Sequence, residues 1–228
     1  MPKCNFVIEG VGHRALYAIA GAVSVLEEKG FVANNIIGIS SGSVVGALWA
    51  AGYNAGEVAK LAKDVPVYSR KYFATFLVNA LRGKNIDKLK VGVSNLESGQ
   101  LDIIKGTEVS VLQSASLLFG TDDGLTDGIL TSAFDLNALG DPAIGIFFYD
   151  RVSPATSTLN GLVNIILNKR NRLDGILNYN LRRTILLSGD EIPITDEPAD
   201  AFDALFREGV QSTREFFGER LGEDDTRI

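Results

Sequence analysis

The segment Gly38-Ile39-Ser40-Ser41-Gly42 constrains this chain more than any other. It reads G-x-S-x-G, and its surroundings give the pattern weight. Before it lies a short apolar run, Asn35 to Ile39; after it comes a helix-like run, Ser43 to Ala51. A strand, a sharp glycine-flanked turn and a helix form a nucleophile elbow. The turn is tight, so its flanking positions must be small, and the serine hydroxyl is lifted clear of the backbone. The helix start behind it offers unpaired N–H groups and a partial positive charge, which suit a developing oxyanion.

The remaining pattern indicates an α/β fold. Asn5 to Ile8 reads as a buried first strand, ending in Glu9-Gly10-Val11-Gly12. A helix is expected from Ala15 to Lys29, with Leu16, Ile19, Ala20, Val23 and Leu26 on one face and Gly30 as its stop. Tyr53 to Lys63 reads as a helix with Asn54 as N-cap. Ser69 to Leu81 is apolar and aromatic. Lys90–Asn95 and Gln100–Ile104 flank Glu97-Ser98-Gly99 as a hairpin. Thr107 to Leu118 is expected to be helical, Ala143 to Tyr149 a buried strand, and Ser157 to Asn180 a long helical region broken near Asp174-Gly175. Thr184–Leu187 reads as a strand and Pro198–Arg220 as a final amphipathic helix. Strands alternating with helices imply a mostly parallel central sheet covered on both faces, a three-layer α/β/α arrangement.

Composition narrows the function classes. With 228 residues, 46% of them hydrophobic, the chain can bury a sizeable core. Residues 1–221 are expected to form one domain and 222–228 a polar tail. A net charge of −6 argues against a nucleic-acid partner. The one cysteine, Cys4, excludes an intramolecular disulfide. Neither a signal peptide nor a transmembrane run is legible, so a cytoplasmic protein, soluble or peripherally membrane-associated, is expected.

An acyl hydrolase needs a nucleophile, a proton acceptor and donors for the oxyanion. Ser40 is the candidate nucleophile. Gly10, Val11 and Gly12, between the first strand and first helix, are the candidate oxyanion donors through their backbone N–H groups. The loop does not complete a dinucleotide-binding G-x-G-x-x-G. Arg14 is a candidate for binding an anionic head group, or else for holding the loop by hydrogen bonds. The base is the open question. The chain has one histidine, His13. It precedes Ser40 and lies in the loop given to the oxyanion, so a Ser-Asp dyad is the better expectation than a triad. One histidine and no clustered ligand spacing imply neither metal nor cofactor.

Together these residues resemble the patatin-like phospholipase family. Gly10-Val11-Gly12-His13-Arg14-Ala15 is similar to its glycine-rich first motif, with Val11 and Ala15 in place of glycines. The elbow and its helix, GISSGSVVGALWAAGY, are similar to its second. The third motif carries the dyad aspartate in a D-G pair. Asp123-Gly124-Leu125-Thr126-Asp127-Gly128 offers two such pairs. The resemblance implies Asp127 as the dyad residue, with Asp122 or Asp123 as alternative registers. The resemblance covers most of residues 5 to 150 and implies a lipid acyl ester substrate, most naturally a glycerophospholipid.

Tyr72, Phe73, Phe76 and Leu77, flanked by Arg70, Lys71, Arg82 and Lys84, are candidates for peripheral membrane contact or a lid. A second basic group, Lys169, Arg170, Arg172, Arg182 and Arg183, is a candidate for anionic head groups. Both equally suit ordinary helices with a solvated face. Two other readings stand beside phospholipid hydrolysis: a catalytically impaired module that binds lipid or protein, and a non-lipid esterase or thioesterase on the same scaffold.

Overall fold

The computed structural model describes residues 3–66, 69–115, 124–131, 139–140, 142–149, 183–190, 192 and 201–218. Strand β1 (Lys3–Gly10) leads into α1 (Gly12–Glu28), then β2 (Val32–Ser40) and α2 (Ser41–Ala50). Helices α3 (Ala55–Lys63) and α4 (Arg70–Leu81) precede the hairpin β3 (Leu89–Asn95) and β4 (Gln100–Lys105). There follow α5 (Glu108–Ser114), the short β5 (Leu125–Asp127) with a 3-10 turn at Gly128–Leu130, β6 (Ala143–Tyr149), β7 (Thr184–Ser188) and α6 (Phe202–Phe216). The expected helix over Ser157–Asn180 lies outside the described residues.

The strands form one sheet in the order β4-β3-β2-β1-β6-β7, with β5 also paired to β3. The pairings β3–β2, β2–β1, β1–β6 and β6–β7 are parallel; β3–β4 and β3–β5 are antiparallel. Alternate strand residues face opposite sides. On one side Phe6, Ile8, Ile36, Leu89, Val91, Ile146 and Ile185 join the described helices in one core. On the other, Val7, Ile37, Ile39 and Phe147 form a second buried cluster. Both faces are therefore apolar, as expected of a mostly parallel sheet.

Helix α1 departs from the single apolar face read in its sequence. It is buried from Arg14 to Val23 and again at Val25 and Leu26. The reason is its position: the sheet lies on one side of it and α3 and α6 on the others. Its last turn is tied down by Glu27, whose carboxylate accepts Trp49 Nε1–H at 3.0 Å and the Ala55 amide at 2.7 Å. One side chain thus joins α1 to α2 and to the start of α3. Asn54 caps α3 as the sequence suggests, within a reciprocal box with Glu57. Among the described residues no helix is long and apolar enough to cross a membrane.

The crossing of α1 and α6 depends on missing side chains. A Cβ on Gly209 would lie 1.9 Å from the Ala18 carbonyl oxygen, and one on Gly21 would lie 2.1 Å from that of Phe206. Both are backbone contacts that no rotamer change relieves. Gly209→Ala must therefore separate the helices along Leu205, Gly209 and Thr213, the buried stripe of α6. Overpacking of this kind costs about 1–3 kcal/mol, occasionally more. The expected outcome is a lower urea midpoint for Gly209→Ala, whereas alanine at exposed Gln211 leaves the midpoint within error.

Candidate active site

Sheet register brings the site together. Gly10, the last residue of β1, pairs with Ser40, the last residue of β2. On the other side of β2, Ile39 pairs with Gly92 of β3, and there the β2–β3 ladder ends. β2 turns away into α2, but β3 continues through Asn95. Since β4 runs along one edge of β3 over Lys90–Asn95, β5 takes the other edge, where β2 has left it. Its first contact there is Asp127 opposite Val93, one residue past the partner of Ile39. Asp127 is thereby delivered beside Ser40, and Ser40 Oγ donates to Asp127 Oδ2 at 3.0 Å. Both residues are 2% exposed.

Ser40 is held in an unusual backbone conformation, φ 53° and ψ −127°, the only positive φ at a non-glycine among the described residues. Such a conformation costs of order 1–3 kcal/mol and persists only where its surroundings impose it. Here they do so through every polar group of the residue. The amide donates to Ser114 Oγ at 2.9 Å, the carbonyl accepts Ser43 Oγ–H at 2.6 Å, and the hydroxyl is taken by Asp127. The flanking glycines are sterically required: a Cβ on Gly42 would meet the Ile8 carbonyl oxygen at 2.1 Å, and one on Gly38 the Ser43 Cα at 2.4 Å.

The glycine loop faces this elbow. Val11 is extended (φ −114°, ψ 134°) and precedes α1 without any side-chain cap. Gly12 opens the helix at φ +74°, a conformation that explains its glycine. Val11, the N-cap residue of the 17-residue α1, supplies no side-chain cap. Ser41 Oγ donates to the Gly12 carbonyl at 2.7 Å, so the elbow and the loop are directly linked.

The other candidates are placed as follows. Arg14 is buried, and its Nη2 donates to the carbonyls of Gly189 at 2.7 Å and Ile192 at 2.8 Å. These bonds tie the segment after β7 to the start of α1. Asp127 Oδ1 accepts the Ile129 amide at 3.0 Å. Asp122 and Asp123 lie outside the described residues. The hydroxyl of Ser40 goes to Asp127 and not to His13, which stacks at a tilt on Tyr17 with centroids 6.0 Å apart. Burial and the neighbouring Arg14 charge hold the His13 pKa below its ordinary value of 6.5.

The aromatic helix has the apolar core face and solvated face of the second reading given for it. Phe73 and Leu77 of α4 are buried in the core and Phe76 is half-buried; of the four residues only Tyr72 is exposed, at 65%. Helical spacing turns the two pairs to different sides. Of the second basic group only Arg183 is among the described residues, and its Nε donates to the Ala143 carbonyl at 3.0 Å.

Sequence reasoning missed the serines around the elbow. Ser114 and Ser94 are fully buried and bonded to Ser40 and Asp127 respectively. Their roles were not legible, because a single serine at a helix end or in a strand does not show which backbone group it will meet.

The mixed sheet with flanking helices is the patatin-like α/β/α fold. VipD of Legionella pneumophila shares it with a TM-score of 0.58 at 11% identity, over 94% of this chain and 66% of that one. The type III effector ExoU of Pseudomonas aeruginosa shares it with a TM-score of 0.51 at 14% identity, over 96% of this chain and 54% of that one. At these identities the likeness is one of fold, and this chain spans only about half to two thirds of either protein. YqhO of Bacillus subtilis (strain 168) is 41% identical over 59 residues, 26% of this chain and 20% of that protein. No model of a known protein family matches the chain.

Two measurements check the site's energetics. Ser40→Ala and Ser40→Gly both remove the hydroxyl, but only glycine relieves the backbone. Ser40→Gly should be the more stable of the two by about 1 kcal/mol, reversing the usual order; equal urea midpoints would mean that φ 53° carries no strain. For His13, the unfolded chain takes up a proton below pH 6.5 that the folded chain refuses. Stability therefore falls as the pH drops from that value towards the folded pKa, and His13→Gln should flatten that limb of the stability–pH curve.

Proposed function

We propose that this chain is a serine acyl hydrolase of the patatin-like type, acting on fatty-acyl esters of glycerophospholipids. The observation that carries the reading is the 3.0 Å hydrogen bond from Ser40, on a strained elbow, to the buried carboxylate of Asp127. In this reading Ser40 Oγ attacks the ester carbonyl while its proton passes to Asp127 Oδ2. The carbonyl oxygen becomes an oxyanion, held by backbone N–H groups of Gly10, Val11 and Gly12 and favoured by the positive end of α1. Collapse breaks the ester bond. The leaving lysolipid alcohol takes the proton from Asp127, and the acyl group stays on Ser40. Water then attacks the acyl-enzyme, with Asp127 accepting its proton and returning it to Ser40 as the fatty acid departs.

The lipid substrate follows from the resemblance of the three motifs and is supported by the shared fold; the chemistry follows from the elbow. Arg14 is assigned here to holding the loop, since its Nη2 is engaged by two carbonyls. Residues 1–221 are taken as a single hydrolase unit.

Treatment with a fluorophosphonate probe, read by intact mass, tests the reading. The wild type should gain one adduct, Ser40→Ala none, and Asp127→Asn should label roughly 10²–10⁴-fold more slowly. An unlabelled wild type, with or without phospholipid vesicles, would reject an activated serine.

A further inference from the structure

Strand β3 pairs with Asp127 and with Ile39, the residue before Ser40. We propose that Ser114 and Ser94 are positioning residues that fix Ser40 and Asp127 to the same short stretch of β3, Gly92 to Ser94, and so set the distance between them. The proposal rests on the hydrolase reading above and deepens it.

The hydrogen bonds define the arrangement. Ser114 ends α5, is fully buried, and donates its one hydroxyl proton to the Gly92 carbonyl at 2.7 Å. Its lone pairs then face the Ser40 amide, which donates at 2.9 Å. Ser40 is thus tied through one oxygen atom to Gly92. Ser94, also fully buried, donates to the Asp127 carbonyl at 2.6 Å and accepts from the Thr131 amide and hydroxyl at 3.1 and 2.9 Å. It therefore closes the turn on which Asp127 sits. The two anchors, Gly92 and Ser94, flank Val93, the residue that pairs with Asp127.

The strain at Ser40 gives Ser114 a task beyond satisfying its own hydroxyl. A residue at φ 53° relaxes if its amide is released, and Oγ moves with the backbone. A shift of about 1 Å in a reacting atom can cost roughly 100-fold in rate. Ser110 supplies a matched comparison. It is buried in the same helix, completes the Thr107 capping box, and bonds only around the start of α5, at Lys105 and Thr107.

The test compares wild type, Ser114→Ala, Ser94→Ala, Ser114→Thr and Ser110→Ala by urea midpoint, fluorophosphonate labelling rate, and kcat and KM on a soluble acyl ester. Crystal structures of wild type and Ser114→Ala accompany it. Ser114→Ala and Ser94→Ala should lower kcat and labelling about 10–100-fold with KM within about twofold. Ser114→Thr, which keeps the hydroxyl, should recover part of the loss. Ser110→Ala should lose comparable stability yet keep wild-type kcat. In the crystals, Ser114→Ala should lose the positive φ at Ser40 or lengthen the Ser40–Asp127 contact. Equal kcat for Ser114→Ala and Ser110→Ala, or an unchanged Ser40 in the Ser114→Ala crystal, overturns the proposal. If the wild type neither labels nor turns over, the hydrolase reading fails, and the crystal comparison alone decides whether Ser114 positions Ser40.

Discussion

The exchange of partners along one edge of β3 is the constraint on which the site depends. β2 occupies that edge as far as Gly92 and then turns into α2; β5 takes it over from Val93 onward. A strand that leaves a sheet exposes a row of backbone donors and acceptors, which a following segment must pair or water must solvate. Here the segment that pairs them brings a carboxylate, and the residue at which β2 leaves is the elbow serine. The same ladder thus satisfies the sheet and sets two side chains 3.0 Å apart. Gly128 shows how close the approach is: a Cβ there would lie 2.2 Å from the Gly92 carbonyl oxygen.

Stability is placed so that the elbow can hold its conformation. Ser40 lies between β1, β3 and α5, all joined to the main core through residues with almost no exposure, such as Ile8, Val91 and Val111. Strain of a few kcal/mol is comparable to a sizeable share of a domain's net stability. It is sustained by hydrogen bonds to three separate points: α5 through Ser114, β5 through Asp127 and the first turn of α2 through Ser43. A single such bond contributes too little to hold it; the three act because their own positions are fixed by packing.

Much of this was legible in the sequence, and the omissions have physical causes. Apolar runs and glycine punctuation located β1, β2, β3, β6 and β7, and the elbow marked Ser40. Asn54 was readable as a cap because capping chemistry is local. β5 was not: Leu125–Asp127 is three residues long, follows one D-G pair and ends in the aspartate of a second, and such pairs read as turns. Its strand character comes from β3, whose paired residues Val93–Asn95 are distant in the chain, and no local preference encodes that pairing. The aromatic run of α4 left two readings open, because helical spacing does not say which side the core is on. The partners of Ser94 and Ser114 were not legible for the same reason as β5, since register alone sets them.

The departures of the glycine loop from the family pattern are compatible with the geometry. Val11 sits at φ −114°, where a β-branched side chain is at ease, so its backbone conformation does not require a glycine. Ala15 is fully buried beneath Gly10, and the two positions depend on each other. A Cβ on Gly10 would meet the Ala15 Cβ at 2.8 Å and the Phe148 Cβ at 3.0 Å. The methyl of Ala15 occupies the space that Gly10 leaves empty, and the backbone at the end of β1 stays close to α1. Gly12 is required for a different reason, since its φ of +74° is a conformation that side chains rarely adopt. What the loop must keep is therefore one positive φ and one small volume, and the chain keeps both.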